Sequence, residues 1–334
     1  MAKKNINELT DRRLAALVAL LAENATVVIS GARIAREIGV SRSTVWRWVT
    51  RLRELGVKVK GRAATGYFLE SVADVLTPEI LRGGLRGSLF GKRVFHFFRT
   101  DSTNRVALEL GQAGEAEGAV VVAEEQTAGR GRAGRTWVSE RGTGIYVTLL
   151  LRPKLAPVQA PLLTMMAGIS ARAAVQAVTG LGVDLKWPND LMIGGKKVGG
   201  ILTEMHAEPA LVKFVIVGIG LNVNQEKFAG ELGGVATSLR AESGRVQSRL
   251  EILVRLLREF EADYRRLVVE GSGEVVRKFE EVSSYARGKK VRVATVAETF
   301  SGVTAGLTAE GLLRVERGDG SIFTVIAGDV SEAR

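Results

Sequence analysis

The sequence predicts a multidomain α/β (α+β) protein in three parts: a basic, helical N-terminal unit over residues 1–70, a central domain on one mixed sheet over 71–286, and a small β-barrel over 287–334. Three observations carry this prediction. The 334 residues exceed the roughly 250 at which single hydrophobic cores stop growing. Residues 1–70 hold thirteen Lys/Arg against six Asp/Glu, so most of the net charge of +11 lies in about a fifth of the chain. Apolar periodicity then changes twice, from purely helical to mixed helix and strand, and finally to short alternating strands.

In the first part, Leu14, Leu17, Val18 and Leu21 fall at i, i+3, i+4 and i+7, which predicts a helix between Asp11 and Glu23. Ser30 can cap a second helix over 32–38, stopped by Gly39 in the left-handed conformation. Ser41 caps a third, on which Val45, Trp48, Val49, Leu52 and Leu55 make one apolar stripe while Arg42, Ser43, Trp46 and Arg47 face away. Two helices joined at Gly39-Val40-Ser41, with small Ala35 at their crossing, fit a helix-turn-helix. Lys58, Lys60 and Arg62 alternate along an extended stretch turning near Thr65-Gly66, as a phosphate-lining wing would. DNA binding accounts for cap, stripe and basic face together; the alternative is a basic three-helix unit that touches another protein. Trp46 could read bases, stack, or tuck inward.

In the central part, strands are predicted at 94–99, 119–123, 144–151, 183–186, 197–205 and 212–219, with helices starting near Asn104, Pro161 and Ser248. Leu250, Leu253, Leu257, Phe260, Tyr264 and Leu267 read as the buried face of the last helix. Beyond 287, the stretches 291–293, 300–307, 312–316 and 323–326 alternate with glycine turns such as Asp319-Gly320 and give the small barrel.

Composition narrows the chemistry. The absence of cysteine removes disulfides, thiolate nucleophiles and the usual structural zinc sites, and two histidines, His96 and His206, cannot build a rich metal site. The longest apolar stretches are cut by residues such as Glu23 and Arg172, short of the roughly 18 residues that a membrane span needs. Residues 14–22 follow Lys3 and Lys4 as a signal peptide would, but Asn5, Asn7, Glu8 and Asp11 spoil that pattern. A soluble, cytoplasmic protein with an anionic partner and no membrane is expected.

The segment G-R-G-R-A-G-R-T-W at 129–137 is the most unusual. Its glycines free the backbone, and Arg130, Arg132 and Arg135 supply about fifteen N–H donors that repel one another until an anion orders them. A phosphate-binding P-loop is rejected although Gly129, Gly134 and Thr136 are suitably spaced, because 136–138 and 144–147 read as strand and turn where that loop needs a helix. Gly218 and Gly220 lack the third glycine and the helix of a dinucleotide fingerprint.

Five segments in order, D-S-T-N at 101–104, the arginine-glycine loop, K-W-P-N-D at 186–190, K-V-G-G-I-L-T-E at 197–204 and G-I-G-L-N-V-N at 218–224, resemble the biotin-protein ligases. With a helix-turn-helix in front and a β-rich tail behind, the chain is similar throughout to the bifunctional bacterial type, both ligase and biotin operon repressor. The resemblance implies a winged helix-turn-helix, a ligase domain and an SH3-like C-terminal barrel. It implies two steps: biotin and ATP, with Mg2+, give biotinyl-adenylate, and a lysine of a biotin carboxyl carrier protein then displaces AMP. Ser102, Thr103, Asn104 and Gln126 would contact biotin, and Arg130, Gly131 and Arg132 would close over the adenylate. Lys186 would bridge carboxylate and phosphate, and Asp190 would orient the acceptor amine. Gly129, Arg135, Trp137, Lys197 and Asn222 would meet the nucleotide, Trp137 by stacking on adenine and Asn222 at nucleotide or magnesium. Further implications are operator DNA as a partner and a homodimer in the adenylate-bound state. Lipoate-protein ligase and a non-catalytic ligand sensor are the rivals.

Overall fold

The computed structural model describes residues 2–24, 27–55, 57–62, 65–70, 74–208 and 211–333, with side chains from 13 onward. Residues 63–64, just before the expected wing turn at Thr65-Gly66, the domain boundary at 71 and the side chains of the N-terminal polar run lie outside the described residues.

Helix α1 (Ala2–Glu23) begins well before the predicted start, because the apolar repeat marks only the buried stretch and the preceding residues include good helix formers. Helices α2 (Gly31–Ile38) and α3 (Arg42–Glu54) follow the predicted caps. Ser30 accepts from the Arg33 N–H, Ser41 from the Thr44 N–H, and Gly39 takes φ 73°. Val45, Val49 and Leu52 are buried in one cluster with Leu14, Leu17 and Leu21 of α1. The wing is an antiparallel pair, β1 (Val59–Arg62) with β2 (Gly66–Leu69), extended by a two-bond bridge between Ile29 and Tyr67.

Helix α4 (Pro78–Gly84) leads into a seven-stranded mixed sheet. Its strands are β3 (Arg93–Phe97), β4 (Ala119–Ala123), β5 (Gly144–Leu151), β6 (Asp184–Lys186), β7 (Asp190–Ile193), β8 (Lys196–Ala207) and β9 (Val212–Asn222), in the spatial order 3-4-5-9-8-7-6. Only β3 and β4 run parallel, and α5 (Thr103–Gln112) is their crossover. Helices α6 (Ala160–Thr179), α8 (Arg249–Glu270) and α9 (Gly273–Val282) carry the other core face, and the short α7 (Leu239–Ser243) precedes α8. All six central strands and three helices expected from periodicity are present. Sequence patterning missed α4, α7, α9 and β7, each ten residues or fewer. Where 136–138 reads as strand, the structure has only isolated bridges, Arg130 with Thr136 and Gln126 with Ser139, and Ala133 just before takes φ 52°.

One correction concerns membrane spans. The stretch Pro157–Thr179 is long and apolar enough to cross a membrane by length and composition, but most of it is buried in the core. It is the central helix of a packed domain, closed on both sides by α8 and the sheet.

The C-terminal strands β10 (Arg287–Ala294), β11 (Thr299–Leu307), β12 (Leu313–Arg317), β13 (Ile322–Val325) and β14 (Asp329–Glu332) form one antiparallel sheet in the order 13-12-11-10-14. Val291, Val293, Leu313, Val315, Val325 and Val330 are buried in the same hydrophobic cluster as the central domain, so these two parts share a core. The N-terminal unit also docks: Phe98 of the central domain belongs to its core, and Arg141 Nη1 donates to the carbonyl of Glu54 at the end of α3 (2.9 Å).

A buried charge cluster holds the linker between the first two parts. Arg249, 1% exposed, pairs with Glu124 (2.9 Å) and Asp74 (2.9 Å), and Glu124 also accepts from the Leu76 N–H (2.8 Å) and contacts His96 Nε2 (3.1 Å). Burial alone would raise the Glu124 pKa, but Arg249, His96 and Leu76 overcome it and hold it at about 2, below the ordinary 4.5. The unfolded chain therefore takes up that proton at a higher pH than the folded one, and acid favours unfolding across the interval from about 4.5 down to about 2. Melting temperature should fall steeply over this range, and Glu124→Gln should flatten the fall; equal slopes in mutant and wild type would contradict it.

Candidate active site

Arms of the central sheet enclose a cavity of about 630 Å³. Its walls include Ser102, Thr103, Asn104, Gln126, Arg130, Gly131, Arg132, Arg135, Trp137, Lys186, Asp190, Lys197 and Asn222, drawn from four stretches of chain. Gly129 stands apart at the loop's neck. There its carbonyl accepts from the Trp137 N–H (2.9 Å), and a Cβ would lie 2.4 Å from the Trp137 carbonyl.

One end of the cavity is lined by fixed amides and hydroxyls. Asn104, 5% exposed, donates from Nδ2 to Leu202 O (3.2 Å) and Glu204 Oε2 (2.8 Å), while its Oδ1 accepts from the Thr148 hydroxyl (2.7 Å). Gly218 makes room for that amide, since a Cβ there would come within 2.0 Å of Asn104 Oδ1. Gln126 Oε1 accepts from the Thr103 N–H (2.8 Å), which leaves its Nε2 to donate to Ser139 Oγ (2.8 Å). Ser102 precedes α5 in the capping position but makes no side-chain cap bond, so its hydroxyl remains available to the cavity. The result is an array of donors and acceptors whose orientations are set before any ligand enters.

The other end is cationic. The hairpin of β6 and β7 pairs Lys186 directly with Asp190 across the Trp187-Pro188-Asn189 turn, whose Trp187-Pro188 bond is cis. Trp187 is buried and donates to Gly311 O (3.0 Å), which ties the turn to the C-terminal part. Lys186 Nζ lies 5.9 Å from the Tyr285 ring centre and makes no ion pair among the described residues. Lys197 Nζ pairs with Asp190 Oδ1 (2.5 Å) and sits 5.6 Å over the Trp137 ring, whose buried Nε1 has no hydrogen-bond partner among the described residues. Asn222 is held by a bond from its Nδ2 to Thr237 O (3.0 Å).

Sequence reasoning leaves the arginine loop without protein partners and dependent on an anion for order; the structure corrects this. Arg130 pairs with Glu204 (2.9 Å) and Arg135 with Asp329, while Arg132 donates to Asn189 Oδ1 (3.1 Å) and Gly328 O (3.4 Å). Burial pushes the Arg132 guanidinium below its ordinary pKa, against the opposing pull of Asp329 and Asp190. Glu204, Asn189 and Asp329 are the site residues that sequence reasoning did not single out. Glu204 ends the fourth motif and could have been suspected there; nothing local marks Asp329.

The DNA-facing candidates lie elsewhere. Arg42, Ser43 and Arg47 are exposed along α3, and Trp46 is 60% exposed beside them rather than tucked inward. Lys58 and Lys60 are exposed on the wing, where Lys60 is paired with Glu70 (2.5 Å).

Family models match in the same three places: an HTH domain over residues 13–68, the Biotin/lipoate A/B protein ligase family over 96–222, and the Biotin protein ligase C terminal domain over 288–331. The chain is 37% identical to the bifunctional ligase/repressor BirA of Bacillus subtilis, across 94% of this chain and 97% of that one. It is 34% identical to the biotin--[acetyl-CoA-carboxylase] ligase of Mycobacterium tuberculosis, over 78% and 98% of the two chains. Among solved structures, the biotin protein ligase from Aquifex aeolicus in complex with biotin and ATP superposes with a TM-score of 0.63 at 31% identity, covering 73% of this chain and all but 1% of that one. With a helix-turn-helix in front of a ligase core and relatives matched along almost their whole length, this chain belongs to the biotin protein ligase family, in its bifunctional ligase/repressor branch.

Proposed function

We propose that the cavity condenses biotin with ATP to biotinyl-5'-adenylate and passes the biotin to a lysine of a biotin carboxyl carrier protein, while the N-terminal unit binds operator DNA and represses biotin-synthesis genes. One observation carries the enzymatic reading: oriented amides at one end of a single cavity and a cluster of cations at the other, the two needs of a neutral ureido ring and an acyl phosphate. Functionally, 1–70 acts as the DNA module, 71–286 as the catalytic domain and 287–334 as a cap that supplies Asp329 to the loop.

In the first step a biotin carboxylate oxygen attacks the α-phosphorus, the new C(O)–O–P link forms, and the bond to the bridging oxygen breaks to release pyrophosphate. Both reactants are anions, so the protein's task is to neutralise and align them. Lys186 bridges carboxylate and α-phosphate, and Arg130 and Arg132 with Gly131 fold over the product. Ser102, Thr103, Asn104 and Gln126 hold the ureido ring. Lys197, Arg135 and Asn222 contact the nucleotide, and Trp137 lies against its base. In the second step Asp190 orients the neutral acceptor amine, which attacks the acyl carbon; the acyl C–O bond to AMP breaks, AMP leaves, and the nitrogen's proton passes to solvent. The Mg2+ that accompanies ATP enters with that substrate. Asp190 Oδ1 is taken by Lys197, whereas Asn222 Oδ1 is held by a long bond from Gln225 Nε2 (3.5 Å), so Asn222 is the side chain that would be free to meet the metal, which would neutralise phosphate charge.

The test is pyrophosphate release with biotin and with lipoate, followed by transfer to a carrier fragment. Release with biotin alone is expected; release with lipoate alone moves the chain to the lipoate ligases, and none with either moves it to the non-catalytic sensors.

Arg42, Ser43, Trp46, Arg47, Lys58 and Lys60 form the DNA contact, with the adenylate-bound state a homodimer and the whole acting in the cytoplasm, where ATP and operator DNA are found. Affinity for duplex DNA should fall with salt at a log-log slope of about 0.9 for each phosphate neutralised. A flat salt response would point to a protein-binding module.

A further inference from the structure

The cavity leaves Glu204 without an assigned task, although its two carboxylate oxygens face different halves of the site. Oε2 accepts from Asn104 Nδ2 (2.8 Å), in the amide-lined half, and Oε1 accepts from Arg130 Nη2 (2.9 Å), in the cationic loop. We propose that Glu204 is a positioning residue that joins the two: it fixes which way the Asn104 amide points and anchors the closed loop through Arg130. The inference rests on the ligase reading above and deepens it.

The first task follows from counting donors. With Nδ2 committed to Leu202 O and Glu204 Oε2, both amide hydrogens of Asn104 are used, and what is left to meet a ligand is the second lone pair of Oδ1, the first being taken by the Thr148 hydroxyl. Asn104 therefore accepts from an N–H group and cannot donate, which selects a ligand that presents an N–H there. The second task follows from charge. The Arg130 side chain is about half exposed, so it stays closed over the cavity only if a fixed anion holds it, and Glu204, three-quarters covered on a central strand, is rigid enough to do so.

Glu204→Gln separates these tasks. The amide keeps an oxygen for Asn104 Nδ2 but loses the charge that attracts Arg130 and turns an N–H2 towards it. In the full-length protein, biotin affinity measured without ATP should stay within about threefold of wild type, while bound adenylate should dissociate about tenfold faster, the loss of one charge-assisted bond. Glu204→Ala removes both partners and should weaken biotin binding about tenfold as well. In a double-mutant cycle, Glu204→Gln added to Arg130→Ala should change the release rate no further than Arg130→Ala alone. A Glu204→Gln protein that releases adenylate as slowly as wild type, or effects that multiply in the double mutant, would overturn the proposal. Thermal unfolding of each variant distinguishes these effects from loss of fold. A wild-type protein that neither binds biotin nor forms adenylate would sink the ligase reading, which is a separate outcome from both.

Discussion

Replacing Lys186 by alanine is expected to slow adenylate formation by about 10²–10³-fold, the usual cost of removing one preorganised charge from a site where charge develops. Two unit anions brought to about 4 Å repel by about 4 kcal/mol at the effective dielectric of a protein site, and a single ammonium between them removes most of that barrier. Lys186 is suited to the position because no carboxylate among the described residues neutralises it, unlike Lys197, which is paired with Asp190. Its register opposite Asp190 in a short hairpin fixes where the ammonium can reach. Biotin affinity should change far less than the rate, since the amide end of the cavity is untouched. Melting should also be unchanged, because the side chain is only partly buried and its ammonium makes no ion pair among the described residues. Single-turnover pyrophosphate release is the measurement; a rate within tenfold of wild type would refute the role.

The second large effect is expected at Arg132. Its guanidinium reaches Asn189 in the catalytic hairpin and Gly328 in the turn just before β14, so it latches the loop to two parts of the chain at once. Arg132→Gly removes the latch and adds backbone freedom to a segment already holding Gly129, Gly131 and Gly134. Each charged hydrogen bond contributes about 1.5–3 kcal/mol, so bound adenylate should escape about 10–100-fold faster. Because burial already opposes the Arg132 charge in the ligand-free protein, an incoming phosphate should strengthen the latch. An adenylate half-life equal to wild type would argue that the loop is not the lid.

How much of this was legible from sequence depends on distance along the chain. Ser30, Gly39 and Ser41 bound their helices through atoms within four residues, so a linear reading finds them. The apolar runs 119–123 and 144–151 became strands at their expected bounds because both faces of the sheet are covered there and the run itself is the signal. The site motifs were visible too, and the structure brings all their singled-out residues except Gly129 to one cavity. What stayed hidden is the set of long-range partners. Arg130 meets Glu204, Arg135 meets Asp329 and Arg141 meets Glu54, pairs separated by 74 or more residues, and composition carries no trace of such pairing. The same holds for Phe98, which lies beyond the N-terminal unit in sequence and yet completes its core. The arginine loop therefore looked unsupported when its supports were simply remote.

The central claim is that one closed cavity makes and keeps a mixed anhydride of biotin and AMP until an acceptor lysine arrives. Mixing the full-length protein with biotin, ATP and Mg2+ in the absence of carrier, separating it by rapid gel filtration and identifying the bound small molecule by mass tests that claim most directly. The account predicts close to one biotinyl-adenylate per chain, discharged as AMP when a carrier fragment is added. Biotin and ATP recovered unreacted, or adenylate found only in the free fraction, would contradict it.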